Sequence, residues 1–192
     1  MKIAISGKRN SGKDTVANIL AEEIGKSVTY RTAFANPVKY IAKILFPNIS
    51  DDILYGPSSL RDSTVVPDLS DNLISIRKLL QDIGKFGRNY NPDIWVNITL
   101  HTCNSNLFKS VIISDCRFIN EFLKLKHNNY TIIRVKRNNT NTNTSEADSD
   151  ISETDLDIYN DDSYDYVINN DSDIDSLRDK VRVMLSHISV VE

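Results

Sequence analysis

The chain has 192 residues, 40% of them hydrophobic, which suffices for one α/β domain with a substantial core. A net charge of -3 excludes a general attraction to nucleic acid, so any basic site has to be local, and small anionic ligands fit better than a duplex. Two cysteines, Cys103 and Cys116, and three scattered histidines, His101, His127 and His187, make neither a disulfide framework nor a metal cluster.

The cysteine usage implies a reducing, cytosol-like compartment. No charged leader precedes a long apolar run and no stretch approaches membrane length, so the expectation is a soluble intracellular protein without a membrane partner. A homodimer stays open. The sequons at Asn48 and Asn97 then carry no weight, because glycosylation requires a secretory route.

Lys2 to Ile5 reads as a short strand, and Val16, Ile19, Leu20 and Ile24 share one face of a helix. Between them lies Gly7-Lys8-Arg9-Asn10-Ser11-Gly12-Lys13-Asp14-Thr15, a glycine-rich turn with the strand and helix that a phosphate-binding loop requires. Gly7 and Gly12 let successive N–H groups turn inward, and the helix start adds its positive dipole end. Lys13 is placed to reach the β and γ phosphates of a polyphosphate. Asp14 stands where Ser or Thr is usual, and this leaves three options for a magnesium ion: Asp14 directly, Asp14 through water, or neither.

Ser27 to Phe34 reads as a second strand, and Ala35-Asn36-Pro37 opens a helix bearing Val38, Ile41, Ile44 and Leu45. Lys39, near that start, either faces a substrate or is an exposed lysine. Asp51 to Leu73 is irregular, with Ser59-Leu60-Arg61-Asp62 as a substrate-side loop. From Ser75 to Arg88, Ile76, Leu79, Leu80 and Ile83 form an apolar stripe, while Arg77, Gln81, Gly84 and Arg88 recur on another face. Two guanidiniums can clamp a phosphate there and an amide can pair with a base edge; the plainer reading is a solvated polar face. Asn91-Pro92-Asp93 opens a further helix with Trp95, whose default role is core packing.

Ser110 to Asp115 is a buried-strand run ending in a carboxylate. An acid at the carboxyl end of a strand beside a phosphate loop can hold magnesium directly or through water, and Arg117, Asn120 and Glu121 follow on the same turn. Tyr130 to Val135 is another strand. Asn138 to Asp165 is then rich in Asn, Thr, Ser and Asp, and reads as a mobile insert or as a lid that excludes water. Its acidity is unusual for a lid, since Arg134 and Arg137 supply the positive charge only where it begins. Tyr166 to Ile168 forms the last strand, and Ile174, Leu177, Val181, Met184, Leu185 and Ile188 stripe a final helix. Five strands separated mainly by helices predict a largely parallel, doubly wound sheet with ligands at its carboxyl edge.

Four stretches, Gly7 to Thr15, Arg77 to Gly84 with Arg88 and Pro92-Asp93-Ile94-Trp95, Ser114 to Glu121, and Ser152-Glu153-Thr154-Asp155-Leu156-Asp157, together resemble the phage-type deoxynucleoside monophosphate kinases, a branch of the P-loop nucleotide kinases. The resemblance implies a nucleoside monophosphate kinase-like α/β fold, a five-stranded mainly parallel sheet flanked by helices, as one domain over residues 1–192 with a lid insert near 138–165. It implies transfer of the ATP γ-phosphoryl group to a deoxynucleoside monophosphate with Mg2+, in the cytoplasm, which for a viral source is the host's.

In that light Asp14 after the lysine is a family feature and, with Asp115, a metal ligand. Lys13, Asp115 and Arg117 become the catalytic set, with Arg117 a clamp between donor and acceptor phosphates. The donor contacts are Gly7, Lys8, Arg9, Asn10, Ser11, Gly12, Lys13, Asp14 and Thr15, with Arg137. Phe34, Ala35 and Lys39 resemble part of the monophosphate pocket, Arg77, Gln81 and Arg88 its far wall, and Arg61 and Trp95 join the substrate set. A phosphomevalonate kinase of the animal type is similar in its loop and Asp-x-Arg turn, but the Arg77 to Gly84 helix followed by Trp95 is closer to the nucleotide kinases. A nucleotide-dependent switch protein is a third reading, weakened by the lack of an evident Asn-Lys-x-Asp stretch.

Overall fold

A computed structural model of the protein describes residues 1–67, 72–105, 108–137 and 151–189. Along these residues run β1 (Lys2–Ser6), α1 (Lys13–Ile24), β2 (Thr29–Thr32), α2 (Asn36–Leu45), α3 (Asp51–Tyr55), α4 (Ser58–Ser63), β3 (Val65–Pro67), β4 (Leu73–Ser75), α5 (Ile76–Tyr90), α6 (Ile94–Ser105), β5 (Ser110–Cys116), α7 (Ile119–His127), β6 (Thr131–Lys136), α8 (Ile151–Thr154), β7 (Tyr166–Asn169) and α9 (Ile174–Ser189). The chain forms two compact units, one of Met1–Ala33 with Leu100–Glu192, the other of Phe34–Thr99. None of the described helices is long and apolar enough to cross a membrane.

The first unit is built on a five-stranded sheet in the order β2-β5-β1-β6-β7, every neighbouring pair parallel. Ile3, Ile5, Ile112 and Ile133 are wholly buried, as expected where helices cover a parallel sheet on both faces. Val16, Ala17, Ile19 and Leu20 of α1 pack in one cluster with Leu177, Val181, Met184 and Ile188 of α9 and with these strands. The helical periodicity in the sequence therefore marks the faces that close the core. Register then fixes the site: Ser6 at the end of β1 pairs with Cys116 of β5 and with Arg134 of β6. Three strands thus deliver their carboxyl ends, and the turns that follow, side by side.

In the second unit the apolar stripe of α5 supplies Ile76 and Leu79 to a cluster with Ala42, Ile49 and Leu54. Ser75 caps α5 by accepting the Lys78 N–H at 3.2 Å. In the less regular segment from Asp51 to Leu73 lie α3 and α4, so that Ser59 to Asp62, expected as a loop, is helical, and β3 pairs antiparallel with β4, Val66 opposite Ile74. Elements of three to six residues are too short to show a period, which is why pattern alone does not find them.

Replacing the fully buried Leu20 by Ala should lower the stability of the first unit by about 2–5 kcal/mol, because the site lies between helix and sheet and collapses poorly. Denaturant unfolding should show a lower midpoint at unchanged slope. An unchanged midpoint would remove Leu20 from the core.

Candidate functional site

The loop after β1 curls tightly. Gly7, Asn10 and Gly12 all have positive φ, at 149°, 61° and 95°. A Cβ on Gly7 would stand 2.4 Å from the Val135 carbonyl oxygen, and one on Gly12 would stand 2.2 Å from Nδ2 of Asn170. Side chains are excluded at both positions by neighbouring atoms as well as by backbone conformation. Asn170, after β7, donates its amide to the Ser11 carbonyl at 2.9 Å and so pins the loop from the far end of the chain.

Into this curl the Lys13 side chain turns back and donates to the Lys8 carbonyl at 2.6 Å. Lys13 is only 7% exposed. Burial, with the Arg117 guanidinium as second cause, pushes its ammonium down to about 8, and the nearby Glu153, Asp14 and Asp115 offset part of that. The hydroxyl of Ser11 is buried without a hydrogen-bond partner among the described residues. An ammonium whose burial is only partly offset by nearby carboxylates, and an unused hydroxyl next to the start of α1, suit an anion rich in acceptors.

The turn after β5 forms the second wall. Glu121 of α7 reaches back, one oxygen of its carboxyl group accepting the Arg117 N–H at 2.7 Å and the Phe118 N–H at 3.1 Å. Burial, with the like charge of Asp115 second, pushes the Glu121 carboxyl up to about 8. Asp115 is half-buried at the end of β5, whereas the Asp14 side chain is 82% exposed and pairs with Arg31 at 2.9 Å.

The third wall is the acidic stretch from α8 onward. Glu153 accepts the Arg9 N–H at 2.6 Å and also binds the Arg117 guanidinium. Asp155 accepts the Ile119 N–H at 2.7 Å, Asp157 pairs with Lys8 at 2.8 Å, and Asp161 pairs with Lys136 at 2.8 Å. The acidity that is out of place in a lid is thus matched by cations of the strand edge. Residues 138–150, the asparagine-rich part of the expected lid, lie outside the described residues.

These walls enclose a pocket of about 310 Å³, in which Lys8, Arg9, Arg117, Arg134, Lys136 and Arg137 outnumber the carboxylates Glu153 and Asp157. A concave, strongly cationic site beside a helix N-terminus has the chemistry to hold a polyphosphate.

The remaining candidates lie in the second unit. Arg77, Gln81 and Arg88 are all on α5; Arg77 binds the Asp62 carboxylate, and Arg88 lies over Gly84. Arg61 is turned to the second unit's own backbone, donating to the carbonyls of Leu54 and Gly56 at 3.0 Å each. Trp95 is 5% exposed, donates its indole N–H to the Gly84 carbonyl at 2.9 Å and lies against Gly87. Both therefore hold the framework of this unit together. Phe34 is buried, Ala35 caps α2, and the Lys39 ammonium lies 4.9 Å over the Tyr55 ring.

Glu121 lies on the turn that the sequence brings to the ligand edge, whereas Glu153, Asp157 and Asn170 are not among the residues that the sequence assigns a role there. The Ser152 to Asp157 stretch is visible in the sequence, but nothing there says which cations it meets.

A family model described as deoxynucleotide monophosphate kinase matches residues 58–181, more than half of the chain. No curated protein matches the chain.

The Glu121 carboxyl gives the site a pH signature. Folded protein keeps its proton up to about 8, while unfolded chain releases it near 4.5, so between these values the folded state binds more protons and stability falls as pH rises. In Glu121→Gln this decline should disappear from denaturant-unfolding profiles. Parallel profiles for variant and wild type would contradict the assignment.

Proposed function

The chain belongs to the deoxynucleotide monophosphate kinase family, and from that premise we propose that it moves the γ-phosphoryl group of ATP to a deoxynucleoside monophosphate at the pocket beyond β1. The observation that carries this reading is the buried Lys13 ammonium inside the curled loop from Gly7 to Gly12. The loop would hold the donor phosphates through its backbone N–H groups, with Lys8, Arg9, Asn10, Ser11 and Thr15 around it and Arg137 at the pocket wall. Lys13 would follow the transferring group as a point charge, and Arg117 would neutralise charge on its equatorial oxygens.

Magnesium suits the donor set. Among the described residues no three His, Cys, Asp or Glu side chains form a ready-made metal cage, and magnesium does not need one, since it takes one or two carboxylates with waters and phosphate oxygens. Asp14 and Asp115 would hold it, and when bound it would neutralise negative charge on the phosphates. The chain's own work is positioning and charge balance, with no covalent enzyme intermediate.

For the acceptor, Arg77 and Arg88 would take the monophosphate and Gln81 the base, with Lys39, Phe34 and Ala35 contributing. Arg77 already offers its fork to the Asp62 carboxylate, a planar anion that a phosphate would replace. Arg61 and Trp95 would act by holding this unit in shape.

An acceptor panel tests the reading: deoxy- and ribonucleoside monophosphates beside phosphomevalonate, with ATP and magnesium fixed. Turnover is expected with deoxynucleotides, and Gln81→Ala should reorder the bases by roughly 1–3 kcal/mol in kcat/KM. Turnover with phosphomevalonate alone would overturn it.

A further inference from the structure

The acidic stretch after the insert carries one contact unlike the rest. Asp157 and Asp161 meet their lysine partners at 44% and 46% side-chain exposure, where an ion pair adds little. The Glu153 side chain is 8% exposed, and its two oxygens go to different parts of the pocket. Oε2 takes the backbone N–H of Arg9 in the phosphate loop, and Oε1 takes the guanidinium of Arg117 from the turn after β5.

This bridge answers an electrostatic problem. Arg117 and Lys13 are two cations close enough that the first lowers the proton affinity of the second. An arginine on a long side chain beside a buried ammonium is pushed away from it, and ordering that side chain also costs entropy. A buried carboxylate tied to the phosphate loop offsets the repulsion and fixes one end of the guanidinium.

We propose that Glu153 is a positioning residue for phosphoryl transfer: by joining the Arg9 N–H to the Arg117 guanidinium it holds Arg117 against the phosphate loop in the geometry the transferring group needs. The proposal rests on the reading of Arg117 as the charge-neutralising clamp. Through Glu153 the segment after the insert contributes to the rate of transfer, beyond covering the pocket.

The test compares steady-state kinetics of wild type, Glu153→Gln, Arg117→Ala and the double variant, with ATP, magnesium and the best deoxynucleoside monophosphate. Gln keeps the shape and an acceptor for the Arg9 N–H but removes the charge. The single Glu153→Gln variant is expected to lose about ten- to a hundredfold in kcat with both KM values within about threefold, and in the Arg117→Ala background the same change should cost almost nothing. Equal losses in both backgrounds would overturn the proposal, because a merely structural role acts independently of Arg117. Unchanged kcat with a lower KM for ATP would also overturn it, since the carboxylate would then only compete with phosphate. Calorimetric ATP binding, expected within about threefold of wild type, guards against a folding defect. Wild-type turnover in the same assay reports separately on the kinase reading.

Discussion

The structure of the site depends on one bond, from the ammonium of the buried Lys13 to the Lys8 carbonyl at 2.6 Å. Keeping a cation 7% exposed is costly, and the surroundings are arranged around that cost. The loop can fold back over the lysine only because Gly7 and Gly12 leave room for Val135 and Asn170, and Asn170 then holds the loop by its Ser11 carbonyl. The sheet register places Cys116 and Arg134 beside Ser6, so the neighbouring strand ends bring Arg117 and Lys136 to the same pocket. A polyphosphate bound as proposed would add negative charge to this cluster.

Seen from that cluster, the acidic stretch after the insert is a charge complement. Glu153, Asp157 and Asp161 meet Arg117, Lys8 and Lys136, and Asp155 caps the start of α7. The exposed pairs fasten the segment weakly. The buried Glu153 is the exception, and it touches both the Arg9 N–H and the Arg117 guanidinium.

Much of this arrangement is legible in the amino-acid sequence. The apolar runs at Lys2, Ser110 and Tyr130 form β1, β5 and β6 because a sheet buried on both faces needs continuous apolar strands. The loop from Gly7 to Thr15 is legible because Gly7 and Gly12 stand where its backbone and close approaches exclude a side chain. What stays hidden has physical reasons. Glu153 and Asn170 meet the loop across 144 and 159 residues of sequence, and no periodicity encodes such a contact. The pairing of β3 with β4 involves three residues on each side. On α5 the polar face is visible, but not that Arg88 folds over Gly84 or that Trp95 lies against Gly87.

Two observations bear on the proposed transfer: the family match covers residues 58–181, and the curled loop from Gly7 to Gly12 with its buried lysine lies outside that match. The most direct measurement is the transfer of labelled γ-phosphoryl from ATP to a deoxynucleoside monophosphate by Lys13→Ala, with thermal unfolding alongside. The account expects turnover to fall by about two orders of magnitude or more, as when a principal transition-state charge is removed, with the fold intact. Near-normal transfer by a folded Lys13→Ala protein would contradict it.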